Sequence, residues 1–327
     1  MHTMKGTVKN ILLLLASLLL SAVLCEVFLS RIDYHYTPLS IRVLNKGDWR
    51  YHHAFEDKHF VYDPNLLWAP KKNYSVFNSQ GFRGRELSVE KQEGEWRIFA
   101  VGDSNTLGWD QQNGPNWPLY LEDLLKKDKE GIVVINAGVY GYTSFQGVRR
   151  FKEILPYHPD MVLISFEGND ALRVQVSDKE FMARHFFRRI NMDKLLMKSR
   201  IGQLAMAAGD KLLFRGKGEQ LVPRVSVEEY TDNINEMISV ARERGIRVVL
   251  LTRPFLLKNV DLQKHYAAYY AGATKDVARR SGVPVIDLAS EFSYKDGYFT
   301  DYAHFNEAGH RLAAKMIYDR LKDLFLK

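Results

Sequence analysis

Two short polar stretches, far apart in the chain, carry residue types suited to nucleophilic chemistry. The first, Gly102-Asp103-Ser104-Asn105, ends an apolar run that begins after Arg97. This pattern predicts a buried strand followed by a tight turn. Such a turn places Ser104 at the carboxyl edge of a sheet, where open α/β folds bind their ligands. Ser104 is therefore a candidate nucleophile and Asp103 a candidate substrate contact. The alternative is that Asp103 or Ser104 merely caps the following helix.

The second stretch supplies a base for that serine, whose hydroxyl is a weak nucleophile by itself. Asp301 and His304 lie three residues apart, just before a predicted C-terminal helix that starts at Asn306. On one tight turn the carboxylate can hold the imidazole tautomer while the other ring nitrogen faces Ser104. This is the division of roles in a Ser-His-Asp triad. Taken alone, the pair also fits two ordinary polar loop residues.

With two further blocks between them, these stretches resemble the SGNH hydrolases, also called the GDSL esterase/lipase superfamily. The resemblance covers about Trp96 to Lys327, and the segment 77–84 is similar to one found in membrane-anchored bacterial members. It implies that the block 136–141 provides an oxyanion donor through the Gly138 amide. It also implies that the block 167–170 provides the Asn169 side chain as another donor, beside the Ser104 amide.

The sequence departs from the family pattern at two positions. Asn105 stands where the name-giving motif has leucine, and this change is expected to be harmless. Glu167 stands where the first glycine of the G-x-N-D block is expected, and glycine follows at Gly168. The Glu167 carboxylate is expected to lie near the substrate, where it alters acyl preference or repels anionic groups.

The order of elements predicts an α/β fold, because apolar runs of strand length alternate with amphipathic helices. With the resemblance, this becomes a three-layer αβα sandwich around a mostly parallel, five-stranded, flavodoxin-like sheet. After the strand that precedes Ser104, the predicted strands are 132–136, 161–166, 246–251 and 283–288. The predicted helices are 117–127, 144–155, 227–244, 262–280 and one from residue 306.

The N-terminal segment is apolar enough to span a membrane. Residues 1–9 are predicted to be a cytoplasmic tail. Residues 10–30 are predicted to be an uncleaved transmembrane signal-anchor, because the apolar run from Ile11 to Leu29 approaches the roughly 20 residues that span a bilayer. Lys5 and Lys9 precede the run, which favours export of the rest. A cleaved signal peptide is the alternative. The predicted location is the inner membrane, single-pass, with the catalytic domain on the periplasmic side.

Three other segments surround the predicted catalytic core. Residues 31–94 are too aromatic for a disordered linker and are predicted to pack on the main domain, 95–327. A helical insertion at about 175–224 is basic, with ten Lys/Arg against three Asp/Glu in residues 181–224. It is predicted to be a helical pair with a solvated face, or else a lid or membrane-facing surface. Arg253 follows a predicted strand, where it binds an anionic group or forms a structural ion pair.

Composition narrows the function further. The net charge of +7 is modest, and the single cysteine, Cys25, excludes an intrachain disulfide. The sequence contains neither a phosphate-binding P-loop nor a G-x-G-x-x-G motif, and it predicts no metal, no cofactor and no nucleic-acid partner. The resemblance to the SGNH hydrolases implies the activity, hydrolysis of an acyl ester, which is expected on a carbohydrate or lipid. The alternatives are an O-acyltransferase working with polysaccharide-modification partners, or a non-catalytic glycan-binding module.

Overall fold

The computed structural model describes residues 2–36, 57–63, 65–109, 114–174, 177–187, 199–213, 221–256, 262–292 and 295–326. The chain forms two compact units. The helical unit comprises residues 1–51 and 183–220, and the sheet unit comprises residues 52–182 and 221–327. Several aromatic residues of the predicted extension and much of the basic insertion lie outside the described residues.

The sheet unit contains the strands of the described residues. In chain order they are β1 (Phe60–Asp63), β2 (Leu67–Pro70), β3 (Trp96–Gly102), β4 (Ile132–Asn136), β5 (Met161–Ser165), β6 (Arg173–Val174), β7 (Val222–Pro223), β8 (Arg247–Leu251) and β9 (Val285–Ile286). Five of them form one sheet in the order β4-β3-β5-β8-β9, and the other four form two short antiparallel pairs, β1–β2 and β6–β7. Every pairing within the five-stranded sheet is parallel. Numbered by sequence, that order is 2-1-3-4-5, the flavodoxin-like arrangement. The predicted fold class is confirmed.

The strands form where the sequence is continuously apolar. All five residues of β5 are buried, and so are six of the seven residues of β3. A sheet covered by helices on both faces requires such runs, because neither face meets water. Strand β9 is shorter than the predicted 283–288, since Pro284 has no N–H for a ladder.

The described helices are α1 (His2–Arg31), α2 (Ser104–Leu107), α3 (Trp117–Leu125), α4 (Ser144–Ile154), α5 (Asp178–Phe187), α6 (Arg200–Leu213), α7 (Val227–Glu243), α8 (Leu262–Ser281), α9 (Leu288–Phe292) and α10 (Glu307–Leu321). Helices α3 and α10 pack on each other, and α7 packs on both α4 and α8. One core contains strand residues such as Ile98 and Leu163 together with Leu121 of α3 and Ile317 of α10. The sheet thus lies between two helical layers.

Strand order reverses at β3, because β4 and β5 pair with its opposite edges. In open α/β sheets the crevice for ligands lies beyond the carboxyl end of the strand at such a switch point. Ser104 directly follows β3. The topology therefore puts the candidate nucleophile where this fold class has a crevice.

In the helical unit, α1 packs against α6. Within α1, the stretch Val8–Arg31 is long and apolar enough to cross a membrane, judged by length and composition. Its large apolar side chains are exposed; Leu19, for example, is 69% exposed. A soluble helix of this composition would hide such side chains, so this surface suits a lipid environment.

Candidate active site

Ser104 is the first residue of α2, immediately after the turn that ends β3. Gly102 has no room for a side chain, because a Cβ there would collide with the carbonyl oxygen of Ser165. Asp103 is the helix N-cap, and its carboxylate accepts a hydrogen bond from the Asn105 N–H at 2.9 Å. Since Asp103 provides the cap, the Ser104 hydroxyl is left to another partner.

That partner is His304. Ser104 Oγ lies 2.9 Å from His304 Nε2, across 200 residues of sequence. The other ring nitrogen, Nδ1, lies 2.7 Å from Asp301 Oδ2. The three side chains form one continuous row in which the carboxylate holds the imidazole and the imidazole meets the hydroxyl. This is the geometry required for a base to take the serine proton.

The Asp301 carboxylate is held in its charged form. Burial raises its pKa, but hydrogen bonds from the His304 ring and from the N–H groups of Ala303 and His304 outweigh burial and lower the pKa to about 2. Both N–H groups donate to Asp301 Oδ1 at 2.7 Å. The carboxylate is therefore ionised at neutral pH and available to stabilise an imidazolium ion.

The loop that carries Asp301 and His304 is closed at both ends. The Thr300 N–H donates to the His304 carbonyl at 2.9 Å. Asn306 caps helix α10, its side chain accepting from the Gly309 N–H at 3.0 Å. Phe305 is buried between these anchors and packs against Phe292, with ring centroids 4.6 Å apart. The imidazole is thus fixed by its neighbours in the chain as well as by its partners.

The structure is at odds with the expectation for Gly138. Its N–H donates to Asn136 Oδ1 at 3.0 Å, so this amide is already engaged. Gly138 instead permits close packing, because a Cβ at this position would lie 2.5 Å from the Leu107 backbone nitrogen. The motif shows the glycine but does not show which way its N–H points.

Gly141, in the same block, is another candidate donor, which the motif did not indicate. It has a left-handed φ of +75°, which favours glycine, in a turn closed by the Tyr142 N–H and the Val139 carbonyl at 3.3 Å. Among the described residues the Gly141 N–H has no hydrogen-bond acceptor. The sequence signal that could have indicated Gly141 is the presence of a second glycine in the block 136–141.

Asn169 lies beside the loop that contains Gly141. Its Nδ2 donates to the Tyr142 carbonyl at 3.0 Å and lies 3.4 Å from Asp103 Oδ2. The amide group is therefore next to the loop that contains Gly141 and next to the residue preceding Ser104. Asn169 is partly exposed, so its side chain is accessible from the protein surface.

Arg253 forms a buried ion pair with Asp103. Arg253 Nε lies 2.6 Å from Asp103 Oδ2, and both side chains are almost wholly buried. The Nε hydrogen is not directed at that oxygen, so Nε and Nη1 make no hydrogen bond to any residue in the described part of the chain. The guanidinium also lies over the Phe255 ring, 4.4 Å from its centre. Of the two interpretations open from sequence, this geometry fits the structural ion pair.

Glu167 is turned into the interior. Its side chain lies 2.5 Å from Thr274 Oγ1 and accepts from the Arg253 N–H at 3.0 Å. The residue is fully buried, so its carboxyl group does not line an exposed surface, contrary to the expectation of a direct substrate contact. Its φ of +107° lies in a region that favours glycine. Burial raises the pKa of Glu167 to about 8.

An aromatic wall flanks the Ser–His–Asp row; its members are His59, Phe60, Trp109 and Tyr140. The Tyr140 ring is nearly parallel to the His304 ring, with centroids 6.3 Å apart, and Trp109 lies 4.7 Å from Tyr140. Rings of the predicted N-terminal extension, His59 and Phe60, continue the wall beyond Trp109. Trp109 and Tyr140 are half-buried, so they present flat apolar surface beside the imidazole.

A doubly wound parallel sheet with a serine, an imidazole and a carboxylate aligned at its switch point defines an α/β protein equipped for nucleophilic catalysis. The match to a family model is more specific. Residues 100–312 match the GDSL-like Lipase/Acylhydrolase family, so the chain belongs to that family. The resemblance inferred from the four sequence blocks is confirmed.

Individual relatives are more distant. The chain is 35% identical over 88 residues to an arylesterase of Vibrio mimicus, a match that covers 27% of this chain and 44% of the relative. It is 25% identical over 225 residues to an uncharacterized lipoprotein of Bacillus subtilis, covering 61% of this chain and 73% of the relative. Among solved structures, a lipase/acylhydrolase from Enterococcus faecalis is 23% identical with a TM-score of 0.48, covering 70% of this chain and 96% of that one.

Proposed function

We propose that the protein is a serine esterase that cleaves an acyl ester through an acyl-enzyme on Ser104. The observation that carries this proposal is the hydrogen-bonded row from Ser104 through His304 to Asp301. Membership of a family of lipases and acylhydrolases supports it. The similarity to an arylesterase points the same way.

In the proposed reaction, His304 Nε2 takes the Ser104 proton as Oγ attacks the ester carbonyl. Asp301 stabilises the resulting imidazolium. When the tetrahedral intermediate collapses, the proton passes to the leaving alcohol and the acyl group stays on Oγ. Water then attacks the acyl-enzyme, gives its proton to His304, and the carboxylic acid leaves as Ser104 regains its hydrogen.

The negative oxygen of the intermediate needs fixed donors. We assign this role to the Ser104 N–H, the Asn169 side-chain amide and, in place of Gly138, the Gly141 N–H. One hydrogen on Asn169 Nδ2 bonds the Tyr142 carbonyl at 3.0 Å, so the proposed donor is the other, whose contact with Asp103 Oδ2 is long at 3.4 Å. The support for Gly141 is its N–H, which has no acceptor in the described part of the chain, and the contact of Asn169 with the carbonyl of the next residue, Tyr142. Asn169→Ala is expected to lower kcat on the order of 10²–10³-fold, with less effect on KM.

The proposed substrates are acyl esters of a carbohydrate or a lipid. The aromatic wall supports this, because a half-buried tyrosine and tryptophan beside the imidazole can pack against a sugar ring or an acyl chain. The same triad could pass the acyl group to a sugar hydroxyl instead of water. Product analysis with and without an oligosaccharide acceptor separates hydrolysis from transfer.

We also propose that α1 anchors the protein in the cell membrane, with the sheet unit outside the cytoplasm. The length and apolar surface of Val8–Arg31 support an anchor. Lys9 precedes the apolar run, and positively charged residues before a span favour this orientation. Separating membranes from soluble protein after lysis, and protease treatment of intact spheroplasts, test the anchor and its orientation.

The central test is turnover of p-nitrophenyl esters of increasing acyl length by the full chain in detergent. Ser104→Ala and His304→Ala are each expected to abolish turnover while leaving the circular dichroism spectrum unchanged. Ser290→Ala, an exposed serine on α9, is the matched control and is expected to retain full activity. Full activity in either triad variant would reject the assignment.

A further inference from the structure

The apolar helix α1 carries one acidic residue between Val8 and Arg31, and that residue has specific partners. The Glu26 carboxylate accepts hydrogen bonds from the backbone N–H groups of Arg200 and Ile201, at 2.7 and 2.9 Å. These are the first residues of α6. Glu26 therefore caps the beginning of α6 from another part of the chain.

The contact between Glu26 and the start of α6 compensates an unfavourable feature of each partner. A carboxylate inside an apolar membrane segment is unfavourable unless it is paired. The first N–H groups of a helix lack intrahelical partners and carry partial positive charge. Glu26 lies one turn from the end of α1, so the start of α6 is held at the level of the bilayer boundary.

Other contacts hold the two helices together near the same level. The Tyr36 N–H donates to Gln203 Oε1 at 3.1 Å, and Arg200 lies 3.6 Å from Asp33. Leu29 and Met206 are buried. The start of α6 is thus tied to the end of α1 by polar contacts from several residues, in addition to the cap.

The opposite side of α6 has an apolar stripe that none of the described residues covers. Leu204, Ala208 and Leu212 lie four residues apart and so share one face. All three are exposed, Leu204 by 40% and Leu212 by 73%. An exposed apolar stripe on a helix docked to a membrane span is the surface of an interfacial helix. The net basic charge of residues 181–224 suits anionic headgroups.

We propose that α6 is a membrane-interfacial helix, docked to the end of α1 through Glu26, whose Leu204–Ala208–Leu212 stripe contacts lipid. This inference rests on the membrane-anchor part of the proposed function. It gives the basic insertion a role in attaching the protein to the bilayer, in addition to that of the single span.

The test measures lipid contact residue by residue. Single cysteines replace Leu204, Ala208 or Leu212 in a Cys25→Ser background, each carrying a nitroxide label. The full chain is reconstituted in vesicles of phosphatidylcholine and phosphatidylglycerol. Collision with oxygen, which concentrates in lipid, is compared with collision with a water-soluble nickel chelate. Leu19→Cys on α1 is the lipid reference, and Arg279→Cys, an exposed position on α8, is the aqueous reference.

All three stripe labels are expected to lose nickel accessibility and gain oxygen accessibility, as the Leu19 label does. Stripe labels that behave like the Arg279 label, while the Leu19 label stays in lipid, would overturn the interfacial helix and leave the anchor intact. Low accessibility to both reagents would mean that protein covers the stripe and would also overturn it. A Leu19 label open to nickel would reject the anchor itself, and this inference with it.

A second pair of variants tests the docking contact. Glu26→Gln keeps an oxygen acceptor for the α6 N–H groups, whereas Glu26→Leu removes it without adding polarity to α1. The Leu212 label is expected to stay in lipid in Glu26→Gln and to gain nickel accessibility in Glu26→Leu. Unchanged accessibility in Glu26→Leu would overturn docking through Glu26.

Discussion

Asp103 creates an electrostatic problem beside the candidate nucleophile. Its carboxylate lies 3.4 Å from Asn169 Nδ2, a proposed donor to the oxyanion. A bare negative charge there would oppose the negative charge that develops on the substrate oxygen. Arg253, at 2.6 Å from the same carboxylate, supplies the compensating charge. In the proposed reaction, Arg253 would therefore act as a positioning residue, since it lets Asp103 cap α2 without opposing the charge of the transition state.

Removing Arg253 should therefore slow the reaction, and removing the Asp103 charge as well should restore it. Arg253→Met is expected to lower kcat by about tenfold or more, which corresponds to ~1.4 kcal/mol, with a smaller change in KM. Asp103→Asn keeps a side chain that caps helices well. The double variant Asp103→Asn, Arg253→Met is expected to recover most of the lost kcat.

The control for this cycle is Arg279→Met. It removes an exposed arginine on α8 that pairs with Asp276, and it should leave kcat unchanged. A double variant slower than Arg253→Met would contradict compensation of charge. It would show that the arginine serves only packing on Phe255.

Glu167 combines a left-handed backbone, complete burial and a raised pKa of about 8. A neutral carboxyl group also fits its partners. The Thr274 hydroxyl has one hydrogen and lies within hydrogen-bond distance of two acceptors, the Tyr270 carbonyl at 3.0 Å and Glu167 Oε1 at 2.5 Å. When the hydrogen bonds the Tyr270 carbonyl, Thr274 Oγ1 is left as an acceptor towards Glu167. A protonated Glu167 can then donate to Thr274 Oγ1 while its other oxygen accepts from the Arg253 N–H.

The raised pKa makes stability depend on pH. Between the ordinary glutamate pKa of 4.5 and about 8, the folded protein keeps a proton that the unfolded chain has lost. The contribution of Glu167 is thus complete below the lower value and falls as pH rises to the upper one, by up to about 1.4 kcal/mol per pH unit.

Urea unfolding from pH 5 to pH 8 checks this dependence. Glu167→Gln is expected to flatten the decline, because an amide can donate to Thr274 and accept from the Arg253 N–H at every pH. Equal slopes for the variant and the natural protein would mean that Glu167 is ionised in the folded state throughout this range.

At the residue scale, sequence predicted side chains better than backbone groups. The contacts of Ser104, His304 and Asp301 with one another were predictable, because the proposed roles require these side chain types and the two stretches lie where a parallel sheet brings them together. Gly138 was assigned as a donor, yet its N–H bonds Asn136. Gly141, the donor proposed in its place, was not indicated by the sequence, because amide directions depend on turn geometry that several sequences share. The sequence also does not indicate the orientation of the Glu167 side chain, since a position in a motif does not determine whether a side chain faces the interior or the surface.

At the scale of elements, the hairpin of β1 and β2 holds the loop that contains Gly141. The Trp68 indole N–H donates to the Tyr140 carbonyl at 3.0 Å, and the Tyr142 hydroxyl donates to the Trp68 carbonyl at 2.6 Å. Trp68 and Tyr142 are completely buried. The loop is therefore fixed on one side by the hairpin and on the other by Asn169.

Trp68→Phe should affect both stability and catalysis. Loss of the indole N–H from the partly buried Tyr140 carbonyl is expected to lower the free energy of unfolding by about 1 kcal/mol. A loosened loop should also lower kcat more than it raises KM, since oxyanion donors act in the transition state. Trp96→Phe, at the start of β3 and far from the carboxyl edge, is the control. A stability loss with unchanged kcat would mean that the hairpin supports the fold alone.

The sequence predicted the five parallel strands well. For the region of this hairpin it predicted only that residues 31–94 pack on the main domain, without the two strands. Buried parallel strands are continuous apolar runs, and the helices between them have clear periodicity. The strands Phe60–Asp63 and Leu67–Pro70 are four residues long and mix aromatic with polar residues. Their pairing depends on tertiary contacts such as that of Trp68, which local pattern does not contain.

At the scale of the whole molecule, the proposed chemistry and the proposed membrane attachment belong to different units. The triad, the proposed oxyanion donors, the aromatic wall and the hairpin all lie in the sheet unit, residues 52–182 and 221–327. The span in α1 and the stripe on α6 lie in the helical unit. Catalysis and attachment should therefore be separable.

A chain that lacks residues 1–51, with residues 183–220 replaced by a short Gly/Ser linker, tests this separation. It is expected to appear in the soluble fraction and to hydrolyse p-nitrophenyl acetate with the kcat/KM of the full chain in detergent. The reason is that every group proposed to act on the ester is retained. Labelling of Ser104 by a fluorophosphonate checks that the site is folded. A labelled but slow enzyme would show that the helical unit contributes to turnover of a small soluble ester, and would contradict the division between the two units.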